Sequence, residues 1–441
     1  MDALFLARLQ FALTVGFHFL FPPLTIGLAW LLVLLEWRAW RRGDPDCRRM
    51  GRFFAGILGL TFAVGVATGV VMEFQFGTNW ARYSRFVGDV FGAPLAAEVL
   101  FAFFLESAFL GIYLFGGARV TPRSRWFSIL MVAVGSTVSA FWILAANSWQ
   151  QTPAGYAVRE GRAELTSLGA AVFNPSTLER FFHTMAACLT AGAFLAAGIS
   201  ARLILQGRGG EGPRKTIRLS LLLGLAASAA LLFPTGHFHA RQVARTQPEK
   251  FAAMEGLFEG RARAAAVVFG IPSDDPPRLR FRVEIPGALS LMVHDRLDGF
   301  VPGLEDLRRA GRPLPPFALT FASFHAMVGL GMAFIGITAL GVFLLWRGRF
   351  FGARGYLRLL PWVIPLPLVA CELGWVAAEV GRQPWVVYGL LRTAEAHSPN
   401  VPAGEVLFSI LGFGLIYLLL GAVYVFLLVR KVRRGPEEAA A

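Results

Sequence analysis

Long runs of apolar residues dominate the chain, interrupted at intervals by short arginine clusters. The runs lie near 11–35, 54–72, 94–116, 127–146, 182–205, 217–235, 318–346, 357–379 and 405–430. Each is close to the roughly 20 residues that an α-helix needs to cross a bilayer. They predict an all-α, polytopic membrane helix bundle with about nine transmembrane helices. One connector breaks the rhythm. Residues 236–317 form a long stretch rich in Pro, Arg and Asp between the sixth and seventh runs. A connector of that length is usually functional or disordered. The pattern divides the chain into 1–235 with six spans, the connector 236–317, and 318–441 with three spans. It contains no internal repeat and no separate soluble domain.

The charges set an orientation. "RAWRRGDPDCRRMGR" follows the first run, "RVTPRSR" the third, "RLILQGRGGEGPRK" the fifth, "RGRFFGARGYLR" the seventh and "RKVRR" the ninth. All five fall on one side, and the other connectors are less basic for their length. The positive-inside rule makes that side cytoplasmic. The expected topology therefore has the N-terminus outside, the C-terminus inside and the long connector outside. Composition agrees: 55% hydrophobic residues and 16% charged ones are too greasy for a water-soluble chain of 441 residues. The net charge of +14 is explained by topology and does not point to nucleic acid. The three cysteines, Cys47, Cys188 and Cys371, lie far apart and form no CxxC. Disulfide frameworks, zinc sites and CxxCH haem attachment thus lack support. The N-terminal stretch lacks a basic n-region and an A-x-A site, and reads as the start of a span, not a cleaved signal.

A charge at the centre of a lone membrane helix costs about 2.5–3.5 kcal/mol on insertion scales. The ionisable or ligating side chains inside the runs therefore carry information. They are His18, Glu98, Glu106, His183, His325, Met327, Glu372 and Glu379. On the expected topology most of them sit in the outer half of the membrane, with Glu106 nearer the middle. Each alone has an ordinary explanation: a hydrogen-bonded His, a packing Met, a carboxylate at a helix end. Together they form a layer, which a shared site would produce. Glu372 and Glu379 are two helical turns apart and share a face that cannot point at lipid. Glu98 and Glu106 are about 80° apart around a regular helix, and Ser107 is a candidate to extend a hydrogen-bonded chain from them. Two His, one Met and several carboxylates in an apolar layer suit haem, whose usual axial ligands are imidazole and thioether. Zinc is poorly matched, because Met is a weak ligand for it. A proton-coupled transporter without cofactor also uses intramembrane Glu and His. A haem-bearing conduit that passes electrons to a partner is a second alternative.

Four stretches carry a resemblance: "RLQFALTVGFHFLFPPLTIG" (8–27), "MEFQFGTNW" (72–80), "FGAPLAAEVLFAFFLES" (91–107), and "GRQPW" (381–385) preceded by "ELGWVAAEV". Together they resemble subunit I of the cytochrome bd-type quinol oxidases, and the likeness covers nearly the whole chain. The resemblance implies a terminal oxidase of a bacterial or archaeal cytoplasmic membrane that oxidises membrane quinol and reduces O2 to water. It implies a low-spin haem b with His183 and Met327 as axial ligands. It also implies a two-haem oxygen site ligated by His18 and Glu372, holding a high-spin haem b and either haem d or a third haem b; which ligand serves which stays open. Glu98 and Glu106 match acidic residues of a proton path from the cytoplasm. In the connector, "KFAAMEG" matches the quinol-loop motif and places Lys250 and Glu255 at the quinol. Further partners implied are a second membrane subunit (subunit II) and an optional small accessory subunit. Arg8 and Arg382 are expected to pair with haem propionates, since guanidinium meets carboxylate bidentately; each could instead snorkel to headgroups. Glu379 and Trp385 belong to the same cofactor-binding neighbourhood. The chain departs from the family at "SFHAMVG", where His325 stands two residues before Met327 in a place many members fill with Arg.

Overall fold

The computed structural model describes residues 2–436. The first run is α1 (Ala3–Phe19) followed directly by α2 (Pro22–Arg42), with the break at Leu20 and Phe21 just before two prolines. Proline lacks the N–H that a continuous helix would need there. Gly43, at φ 63°, ends α2, a left-handed position that costs glycine nothing. Then α3 (Pro45–Thr78) starts with the Asp44 carboxylate accepting from the Asp46 and Cys47 amides and with Pro45 in its first turn, the usual start signals.

Helix α4 (Ala81–Ala97) runs through a π-helical turn, Glu98–Phe103, into α5 (Phe104–Phe115). After it come α6 (Pro122–Gln151), the hairpin β1 (Tyr156–Arg159) and β2 (Arg162–Leu165), the short α7 (Leu168–Val172) and α8 (Thr177–Leu205). Helices α9 (Glu211–Leu232) and α10 (Thr235–Thr246) make one long apolar unit. Among the described residues eight helical units are long and apolar enough to cross a membrane, and a ninth joins α15 (Arg354–Trp362) to α16 (Leu366–Val380) across a 42° bend. The others are α14 (Phe317–Trp346) and α18 (Ala403–Arg434). This agrees with the expected all-α bundle of about nine spans.

The long connector is folded, and it begins after Thr246, later than hydropathy places it, because α10 prolongs the sixth span. It holds α11 (Pro248–Glu255), β3 (Arg261–Ala262), the antiparallel hairpin β4 (Ala266–Asp274) and β5 (Pro277–Ile285), α12 (Ala288–His294), β6 (Phe300–Val301) paired with β3, and α13 (Leu304–Arg309). A last small hairpin, β7 (Trp385–Val387) with β8 (Leu391–Arg392), and α17 (Thr393–Ala396) close the same end of the bundle.

The core sits where α2, α3, α6 and α8 meet, filled by Leu28, Leu31, Leu32, Leu35, Phe54, Ile57 and Ile129. Helices α2 and α8 touch backbone to backbone: a Cβ on Gly27 would lie 1.9 Å from the Cys188 carbonyl oxygen. Any larger residue would push the two helices apart. At the arginine-rich end Lys215 reaches Asp44 at 2.8 Å and Asp46 at 2.9 Å, tying α9 to the α2–α3 turn. That end is stitched by surface ion pairs; the opposite end is built from the folded connector.

Candidate functional site

Between the helices lies one cavity of about 2200 Å³. Its wall includes Arg8, His18, Glu98, Glu106, His183, Lys250, Glu255, Met327, Glu379 and Arg382. The fold thus gathers on one surface residues that are far apart in sequence. Glu372 and Trp385 stand beside the wall, not on it.

The two histidines are held alike. His18, in the last turn of α1, meets the Thr68 hydroxyl of α3 through Nδ1 at 3.0 Å. Thr68 Oγ1 donates its own proton to the Val64 carbonyl at 2.9 Å. It must therefore accept from His18, which puts the imidazole proton on Nδ1 and leaves the Nε2 lone pair free. His183, near the start of α8, meets Thr235 Oγ1 through Nδ1 at 3.3 Å, and Thr235 donates to the Ala230 carbonyl at 2.7 Å. Again Nε2 is left unprotonated. Such outer partners fix the tautomer of a metal-ligating imidazole.

Met327 projects from α14 toward α16. A Cβ on Gly374 would lie 2.8 Å from its sulfur, so only glycine at 374 lets the thioether reach this position. Glu372, two residues earlier, faces α1, where a Cβ on Gly16 would lie 3.5 Å from its Oε2. Its Oε1 is buried and has no hydrogen-bond partner. A buried polar atom left unpaired costs about 1–3 kcal/mol, more if charged, so this oxygen needs something that the described residues do not supply.

Glu98 and Glu106 both turn to α6. Ser139 donates to Glu98 at 2.6 Å, and Ser136 donates to Glu106. The divergence expected for a regular helix is removed by the π turn at Glu98–Phe103, which resets the phase between them; π turns of this kind often mark functional sites. Ser107 does not extend the chain. It donates to its own helix at the Phe103 carbonyl, 2.8 Å away, and Ser136 takes the role instead.

At the connector end, Glu379 accepts from Arg382 and, at 3.2 Å, from Asn147. Each of the three Arg382 nitrogens already has a protein acceptor: Glu379, the Gln150 side chain at 3.1 Å and the Trp385 carbonyl at 3.3 Å. Arg8 is exposed at the rim of the cavity. Lys250 is 3% exposed and donates to Gln151 at 3.0 Å. Burial, with the Arg180 charge nearby, pushes its ammonium well below the usual lysine range. Burial raises Glu255 from 4.5 to about 8. Both belong to α11, and the Glu249 carboxylate beside them is clamped by Arg312 at 2.8 Å and Tyr388 at 2.9 Å.

Several wall residues escaped the sequence reading. Glu73 lies in the quoted "MEFQFGTNW" but outside the residues singled out. Arg180, one turn before His183, was hidden at the edge of a span. His239 lies 5.5 Å from His183 between ring centroids, but it falls in what hydropathy assigns to the connector. Thr68 and Thr235 carry no signal that sequence alone could use.

Imidazoles with free Nε2 and a thioether on one apolar cavity, with an unpaired carboxylate beside it, define a class: a multi-pass membrane protein whose side chains suit haem. The comparisons narrow this to one family. The family model described as "Cytochrome bd terminal oxidase subunit I" matches residues 6–436. The chain is 40% identical over 446 residues to the cytochrome bd ubiquinol oxidase subunit 1 of Bacillus subtilis (strain 168), covering 99% of this chain and 95% of the relative. It is 35% identical to the cytochrome bd-II ubiquinol oxidase subunit 1 of Escherichia coli (strain K12), covering 99% and 97%. Its fold matches the structure of bd oxidase from Geobacillus thermodenitrificans with a TM-score of 0.91 at 30% identity, over 99% of each chain. The chain belongs to the cytochrome bd terminal oxidase subunit I family. Membership decides against the cofactor-free transporter reading, and haem is the cofactor that the family implies.

Proposed function

We propose that this subunit oxidises quinol at the folded connector and holds a low-spin haem b and a two-haem oxygen site, which together would supply the electron path to O2. As a family member the chain is a quinol oxidase subunit; the residue roles are our reading. His183 and Met327 would hold the low-spin haem. His18 and Glu372 would hold the oxygen-reducing pair, a high-spin haem b with haem d or a third haem b. These groups would supply one-electron transfer and oxygen activation. The observation that carries the reading is the pair of threonine-fixed imidazoles with free Nε2 on the cavity where Met327 lies, beside the unpaired Glu372 oxygen.

The protein's own groups handle the protons. Glu255 would accept one from a quinol hydroxyl, and Lys250 would stabilise the anion that results. Glu106 and Glu98, hydrogen-bonded to Ser136 and Ser139, would pass protons from the arginine-rich end, which the positive-inside rule makes cytoplasmic. That puts the N-terminus and the connector outside. Arg382 would pair with Glu379 beside the site. A second membrane subunit completes the assembly, with a small accessory subunit as an optional third.

A reduced-minus-oxidised spectrum of the purified oxidase tests the ligand set. Met327→Leu keeps most of the volume but loses the thioether, so the low-spin signal should convert to a five-coordinate form. An unchanged spectrum and potential in that variant would remove Met327 from the ligands.

A further inference from the structure

Arg180 is a buried guanidinium without an anion. It is 8% exposed and lines the cavity. One Nη donates to the Asn147 side chain, a neutral amide. Its Nε is buried with no partner. Among the described residues it makes no ion pair within 4.0 Å. A buried charge paired only with an amide is costly unless a counter-charge arrives.

The surroundings make the deficit explicit. The guanidinium groups of Arg180 and Arg382 both lie within electrostatic reach of Glu379, two cations to one carboxylate. Glu379 is already bonded to Arg382, and Lys250 is bonded to the amides of Gln151 and Gln247. The cluster therefore has room for one more negative charge. A propionate of a b-type haem would supply it, and Arg180 stands one helical turn from His183 on the same wall.

His325 cannot fill this need. Its Nδ1 lies 3.1 Å from the Phe321 carbonyl and its Nε2 lies 2.9 Å from the Val267 carbonyl, so backbone carbonyls face both ring nitrogens. The ring ties hairpin strand β4 to α14 and turns neither nitrogen to a ligand.

We propose that Arg180 binds a propionate of the haem that His183 ligates. This rests on the axial role of His183 given above. A guanidinium there stabilises the ferrous state, because reduction removes a positive charge from the iron. Without it the uncompensated carboxylate favours the ferric state, and the midpoint potential falls.

The test uses Arg180→Gln and Arg180→Lys in the intact, quinone-stripped oxidase, so that an anionic quinol cannot stand in for the propionate. Two readouts are taken: haem per protein, and the midpoint of the low-spin haem by redox titration of its absorbance band. Arg180→Gln should lower the reduced-to-oxidised ratio at fixed potential about tenfold, or about 59 mV for a one-electron couple. Arg180→Lys should recover more than half of that shift. An unchanged midpoint in Arg180→Gln with full haem content would overturn the proposal. If Arg180→Gln fails to take up the haem, Arg180→Lys decides: uptake with a near-normal midpoint supports the charge pairing, and failure in both makes Arg180 a packing residue. Persistence of the low-spin signal in His183→Ala would instead sink the axial assignment itself, whatever the Arg180 variants do.

Discussion

Helix α16 carries two carboxylates two turns apart, and the fold treats them in opposite ways. Glu379 is paired with Arg382 and accepts a hydrogen bond from Asn147, inside a knot that also holds Gln150 and Tyr83. Among the described residues, Glu372 leaves one oxygen buried without a partner. The same residue type on the same helical face is therefore finished in one place and unfinished in the other. A finished ion pair fixes the neighbouring segments. An unfinished carboxylate in apolar surroundings is tolerable if it is protonated or if a cation, such as a haem iron, completes it.

The sharpest way to break this contrast is Glu372→Ala. It should abolish oxygen consumption and remove one haem from the oxygen site, counted as haem per protein; full haem content with normal turnover would place Glu372 among structural residues. Glu379→Gln should act on the other side of the comparison. It leaves the Arg382 guanidinium buried without its carboxylate, which costs about 3 kcal/mol or more. The expected result is a lower thermal midpoint with the haem spectrum of the surviving protein intact. A loss of haem equal to that of Glu372→Ala would erase the distinction.

A second comparison sets Glu255 at the connector, proposed for proton chemistry, against Glu372 in the bundle, proposed as a ligand. Burial holds Glu255 near 8, so it is mostly protonated below that pH and becomes a base above it. Quinol-driven turnover limited by this base should rise as pH passes through about 8. Glu255→Gln should flatten that rise and slow turnover on the order of 10²-fold, while an artificial donor that bypasses the connector still reduces the haems. Equal losses with both donors would count against the quinol role. The sign for stability is the reverse. The folded state binds the proton more tightly than the unfolded chain, whose pKa is near 4.5, so Glu255 withdraws stability as pH rises from about 4.5 to 8.

The smallest effect expected comes from the threonines behind the imidazoles. Thr235→Val preserves shape but cannot accept from His183 Nδ1. Affinity for the low-spin haem should weaken about tenfold, read by haem retention on dilution. Thr68→Val should do the same at His18. Unaltered retention in both would show that packing alone orients the rings.

How much of this was legible in the sequence depends on distance along the chain. The spans and the arginine clusters were legible because each is a local run. Bilayer thickness fixes helix length, and the hydration of arginine keeps it out of the apolar runs. The chemical types of the candidate ligands were legible for a related reason: a His, Met or Glu inside an apolar run is costly and stands out residue by residue. The length of the sixth span was misjudged because α10 is polar enough to look like a loop yet continues as helix to Thr246. Glu98 and Glu106 looked divergent because a regular helix was assumed, and only the folded chain shows the π turn that aligns them with Ser139 and Ser136. The rest of the site lies in pairings across 50 residues for His18 and Thr68, and 52 for His183 and Thr235. No local pattern encodes such pairs. Sequence by itself determined a membrane bundle stocked with His, Met and Glu side chains of the types that can ligate haem; the packing of helix on helix decided which carboxylate is paired, which nitrogen of each imidazole is free, and that Arg180 makes no ion pair among the described residues.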